Sequence, residues 1–145
     1  MAIKFMLRFA VIFVFFGSSC AVCAEKAYIV AAMCGKRDGA LSTVVIFKRS
    51  NNLGFARAGA LEECLGAVGK QAKLGRNCCE PEVFMAESGT NSKCVSVAVG
   101  FEGLGSTYAG STEREAADKA MVLCEHLHKS FHHPAGLCRP ITRCL

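Results

Sequence analysis

Ala56-Arg-Ala-Gly-Ala60-Leu-Glu-Glu-Cys64 and Ala116-Ala-Asp-Lys-Ala120-Met-Val-Leu-Cys124 carry one pattern, Ala-x3-Ala-x3-Cys, 60 residues apart. Steps of four place the three residues on one helix face. Cys78 and Cys138 keep the same offset. The simplest reading is two copies of one small unit, each a helix leading into a cysteine, over about 27–87 and 93–145.

Working outward, Ala27-Tyr-Ile-Val-Ala-Ala-Met33 and the β-branched run Thr43-Val-Val-Ile-Phe47 read as two strands joined by a turn. Ser50-Asn-Asn52 offers helix-capping oxygens, and the spacing predicts a helix from about Gly54 to Lys70. Its apolar stripe is Ala56, Ala60, Leu61, Cys64, Leu65 and Val68. Pro81-Glu-Val-Phe-Met-Ala86 suggests a third strand, and Ser88-Gly-Thr-Asn91 a turn. Cys94-Val-Ser-Val-Ala-Val99 alternates, which predicts a strand with one buried face. Gly100 to Gly105 form a turn, followed by a short strand at Ser106–Ala109. Thr112-Glu-Arg-Glu115 is a capping box opening a second helix, whose outer limit is marked by Pro134 and Gly136. Cys138–Cys144 reads as an edge strand, because Pro140 cannot donate to a central ladder. The unit is strand, strand, helix, cysteine, strand, used twice. The expected class is α+β: one mostly antiparallel sheet with two helices on one face, disulfide-stapled.

The N-terminus reads as an address. Lys4 and Arg8 precede the apolar run Phe9–Phe16, and Val22-Cys-Ala24 suits a signal peptidase. The run is far short of the roughly 20 residues that span a bilayer. Residues 1–24 are therefore set aside as a signal peptide, with lipidation of Cys20 or Cys23 as the alternative. The 121 residues that remain suffice for one domain, 25–145. They carry 15 basic and 12 acidic residues, too mild a balance to argue for nucleic acid or an anionic membrane. No Trp and two Tyr leave no aromatic stacking platform. The expected location is periplasmic or secreted.

Helix, strand and cysteine spacings together resemble those of the small secreted bacterial domains catalogued as domain of unknown function 4189. The residues that carry the resemblance are Ala31-Ala32, Ala56/Ala60/Cys64, Cys78, Cys94-Val-Ser-Val-Ala98, Ala116/Ala120/Cys124, and Cys138 with Cys144. It covers about residues 27–145 and implies fold and export, with no assigned reaction.

Eight cysteines follow the signal segment: Cys34, Cys64, Cys78, Cys79, Cys94, Cys124, Cys138 and Cys144. Such usage in an exported chain predicts disulfides. Repetition suggests Cys64 with Cys78 and Cys124 with Cys138, the other four supplying two more bridges. No C-x-x-C remains for thioredoxin-like redox chemistry, and no paired C-x2-C set for structural zinc.

All four histidines fall between His126 and His133. On a continuing helix Cys124, His128 and His132 share one face at i, i+4 and i+8, which makes them the candidate ligands for zinc or copper. No other cofactor is expected. Catalytic residues are not assigned: there is no G-x-S-x-G, Asp38 and Asp118 are the only aspartates, and the glycine-rich 100–105 stretch lacks the lysine of a phosphate loop. The leading expectation is an exported non-enzymatic module that binds another protein, as an inhibitor, immunity factor or host-directed effector. The alternative is a periplasmic metal-binding protein.

Overall fold

The structure, a computed structural model, describes residues 26–35, 43–72 and 82–145. The elements run β1 (Tyr28–Gly35), β2 (Val44–Ser50), α1 (Leu53–Ala72), β3 (Glu82–Glu87), β4 (Cys94–Val99), β5 (Gly105–Gly110), α2 (Glu113–Ser130) and β6 (Arg139–Cys144). The expected signal segment, Cys78 and Cys79 lie outside the described residues.

The class is α+β with antiparallel pairing, as expected, and each half repeats strand, strand, helix, strand. The expected single sheet is in fact two three-stranded sheets, ordered β2-β1-β3 and β5-β4-β6. The same strand order recurs in both halves, with the first strand of each unit in the centre.

Alternation along β1 explains the layering. Val30, Ala32 and Cys34 point to one face and pack with Ala56, Ala60, Cys64 and Val68 of α1. Ile29, Ala31 and Met33 point to the other and meet Val95 and Val97 of β4. On the far face of β4, Ala98 packs with Ala120 and Cys124 of α2. The order of layers is therefore α1, sheet, sheet, α2, with the helices on opposite outer faces rather than on one.

The helix ends match their local chemistry. Asn52 Oδ1 accepts from Phe55 N at 3.2 Å. Thr112 Oγ1 accepts from Glu115 N at 3.1 Å. The Glu115 carboxylate reaches one residue past the cap, accepting from Ser111 N at 2.9 Å and Ser111 Oγ at 2.5 Å. Those bonds hold its carboxyl below the ordinary value. Helix α1 is tied to both edge strands of its sheet: Glu63 pairs with Lys48 of β2, and Arg57 makes a two-pronged contact with Glu87 of β3 at 2.5 and 2.7 Å.

Three bridges close among the described residues: Cys34–Cys64, Cys94–Cys144 and Cys124–Cys138. The last is the expected local bridge. The expected Cys64–Cys78 bridge is replaced by Cys34–Cys64, because the end of β1 runs directly under α1. Their Cα atoms are 5.7 Å apart, within bridging range. Cys94 and Cys144 face each other across the β4–β6 ladder.

Replacing both Cys34 and Cys64 by Ala is expected to lower the unfolding free energy by about 3 kcal/mol, measured in urea. The Arg57 hydrogen bonds, with its charge, hold the Glu87 carboxyl below its ordinary value. Its contribution is therefore complete above that value and fades as pH falls through the lowered folded one. Glu87→Gln should cost less than about 1 kcal/mol at pH 7, since the pair is partly exposed. The gap between variant and parent should close in acid; a gap that persists there would show that charge is not its source.

Candidate functional site

The C-terminal end of α2 borders a cleft lined by Leu127, Phe131 and His133. Helix geometry stops at Ser130, and the chain turns back on itself. His133 N donates to His128 O at 2.9 Å and His132 N to Lys129 O at 3.1 Å. This is a Schellman ending, with His132 in the left-handed position at φ 57°. The turn folds the His133 ring back beside its neighbours. It meets Phe101 edge-on at 5.5 Å, with Phe131 at 6.1 Å and His128 at 5.4 Å. Its Nε2 lies 3.8 Å from the Glu102 carboxylate.

Beside this turn a cleft of about 400 Å³ opens at the end of the inter-sheet layer. Met33, Phe84, Leu127 and Phe131 supply its apolar lining, and Glu82, Glu102 and His133 its ionisable groups. Phe131 is 56% exposed and Phe84 48%. Gly105 in the same lining is required by close approach: a Cβ there would overlap Ala98 O and sit 2.9 Å from Met33 Sδ.

Behind the cleft lies a second, fully buried group. His128 is 1% exposed. Its Nε2 lies 3.0 Å from Leu104 O, which can only accept, so Nε2 carries a proton. Nδ1 has no protein partner. Cys124 and Cys138 are bonded to each other across the end of α2, and their sulfurs and a His128 ring nitrogen all lie within 4.8 Å of one another. The Cys124 sulfur sits 3.7 Å from Leu104 O as a contact only, since a bridged sulfur has no proton to give.

Of the expected ligand set, the structure brings Cys124 and His128 together and sets His132 apart. The i+8 argument requires an unbroken helix; this one ends two residues before His132, which is exposed. His126 is also exposed. The third member of the group is Cys138, reached through the chain reversal. The expected bridge from Cys124 to Cys138 together with the four-residue step to His128 already held that signal in the sequence.

No family model, curated protein or solved structure matches the chain.

His132 in a left-handed conformation carries a steric cost that glycine avoids. His132→Gly is expected to raise the unfolding free energy by about 1 kcal/mol, while His132→Val should lower it. Thermal melts of the two variants check this; destabilisation by glycine would mean that the imidazole has a stabilising contact of its own.

Proposed function

We propose that this chain is an exported, non-enzymatic protein-binding domain whose end cleft takes an apolar side chain of a partner beside a basic one. The observation that carries this reading is the pairing of exposed Phe84 and Phe131 with Glu102 along one cleft. Exposed aromatics rimmed by charge mark interaction sites. The exposed Glu102 carboxylate favours Lys or Arg in the occupant. Periplasmic or secreted location belongs to the same proposal. It is supported by three disulfides among the described residues, which suit an oxidising compartment. No helix among those residues is long and apolar enough to cross a membrane. Membership of the secreted bacterial family named above is likewise proposed, on the repeated order of elements. An inhibitor, immunity or effector role fits such a module equally well. The metal-binding alternative has one observation in its favour, the buried Cys124, His128 and Cys138 group.

A displayed peptide library panned against the oxidised domain tests the reading. Enriched peptides should pair a large apolar residue with Lys or Arg. Phe131→Asp should weaken them by at least about tenfold, the loss typical of a truncated anchor. Enrichment of acidic peptides, or binding indifferent to Phe131→Asp and Phe84→Ala, would overturn it.

A further inference from the structure

The two units can be overlaid strand by strand from their ladders. Tyr28 faces Ser50 and Cys94 faces Gly110, so β4 matches β1 with a shift of 66 residues while β5 matches β2 with a shift of 60. Cys34 faces Val44 and Val83 in unit one. The matching place in unit two is Gly100, whose N donates to Leu104 O at 3.0 Å, and the β4–β6 register carried one step on sets it opposite Cys138. In the helices, Cys64 matches Cys124 and Val68 matches His128. The matched sulfurs even keep matched neighbours: Cys64 lies 3.6 Å from Val44 O and Cys124 lies 3.7 Å from Leu104 O.

Unit one thus surrounds its helix cysteine with Cys34, Val68 and Val83. Unit two replaces these by Gly100, His128 and Cys138. All three changes fall in one spot, and they are mutually dependent. A Cβ on Gly100 would overlap His128 Nε2 and lie 3.0 Å from Cys138 Sγ, so only glycine leaves room for the imidazole and the relocated sulfur. Repacking an apolar slot does not call for an imidazole at 1% exposure with an unpartnered ring nitrogen, since Val68 fills the same place in the other copy at the same exposure. A buried imidazole with one ring nitrogen and two cysteine sulfurs all within 4.8 Å of one another has the composition of a metal ligand set.

We propose that unit two holds a buried Cys2His site for a thiophilic ion, with zinc as the type case, formed by Cys124, Cys138 and His128 once the Cys124–Cys138 bridge is opened. A dithiol reductant supplies the two electrons and two protons and becomes a disulfide itself. Zinc then displaces both thiol protons, and the imidazole binds as a neutral ring. The bridge and the ion use the same two sulfurs, so each state excludes the other. Unit one has no counterpart, because Val68 stands where His128 would.

The test uses the full chain lacking its signal segment, oxidised or reduced with a phosphine, and zinc alone as the probe in competition with a chromophoric chelator. Reduced protein should take up one ion per chain and release two protons. Cobalt in place of zinc should show thiolate-to-metal absorption. His128→Val, which installs the residue of unit one, should weaken uptake by at least about tenfold, with the far-ultraviolet dichroism of the reduced protein unchanged. Cys34→Ala with Cys64→Ala should leave uptake intact. On reoxidation followed by peptide mapping, zinc should delay closure of Cys124–Cys138 alone. This readout stands even where the reduced chain is loosely folded, because the other two bridges serve as internal controls. Equal uptake by His128→Val, zinc binding by the oxidised protein, or delay spread over all three described bridges would overturn the proposal.

Discussion

Everything in this fold depends on two central strands being buried on both faces. β1 and β4 lie back to back, and each also supports a helix on its outer side. Every residue from Ile29 to Cys34 is buried, as is every residue from Cys94 to Ala98. A strand covered on both sides must carry compact residues wherever a helix backbone approaches it. Ala32 lies beneath α1 and Ala98 beneath α2, and the helices answer with alanine at Ala56, Ala60, Ala116 and Ala120. Small meets small on the outer interfaces, while Ile29, Met33, Val95 and Val97 fill the space between the sheets. Close-packed layers leave little tolerance for added volume. The overlap that a side chain on Gly105 would create is a local instance.

Most of the element order was legible in the sequence, because it rests on local signals. The Ala-x3-Ala-x3-Cys stripes, the Asn52 and Thr112 caps and the β-branched runs each act within a few residues. What was not legible is how many sheets the strands form. Cys94–Val99 alternates in a way that suggests one solvated face, since Ser96 interrupts the apolar run. Yet Ser96 is fully buried, its Oγ donating to Ile141 O at 3.3 Å and accepting from Thr142 Oγ1 at 3.0 Å. A small hydroxyl satisfied by the edge strand β6 mimics a surface residue in sequence. The bridging partner of Cys64 was hidden for a related reason: it comes from β1, upstream in the chain, where local repetition gives no hint.

The candidate site divides the same way. Cys124 and His128 were visible as a four-residue helical step. His132 failed because the helix ends in a reversal that histidine, unlike glycine, does not advertise. Cys138 entered through that reversal. The aromatic cleft was not visible at all, since Met33, Phe84 and Phe131 come from three separate elements and meet only when the sheets stack.

The distribution of covalent links also has an architectural meaning. Each described bridge stays inside its own unit: one in the first, two in the second. Among the described residues, what crosses between the units, besides the Ser88–Lys93 connection, is non-covalent. It is chiefly the apolar layer, with Thr43 Oγ1 on Gly103 O at 3.1 Å and the Arg143 guanidinium over the Phe47 ring at 5.5 Å. Thr43 and Gly103 are themselves 60 residues apart, the offset of the repeat, so each unit touches the other through its own equivalent place. A contact between matching places is what a two-fold pairing of like units requires. Cutting the connection would leave no described disulfide joining the halves, so their cohesion would rest on the inter-sheet layer alone.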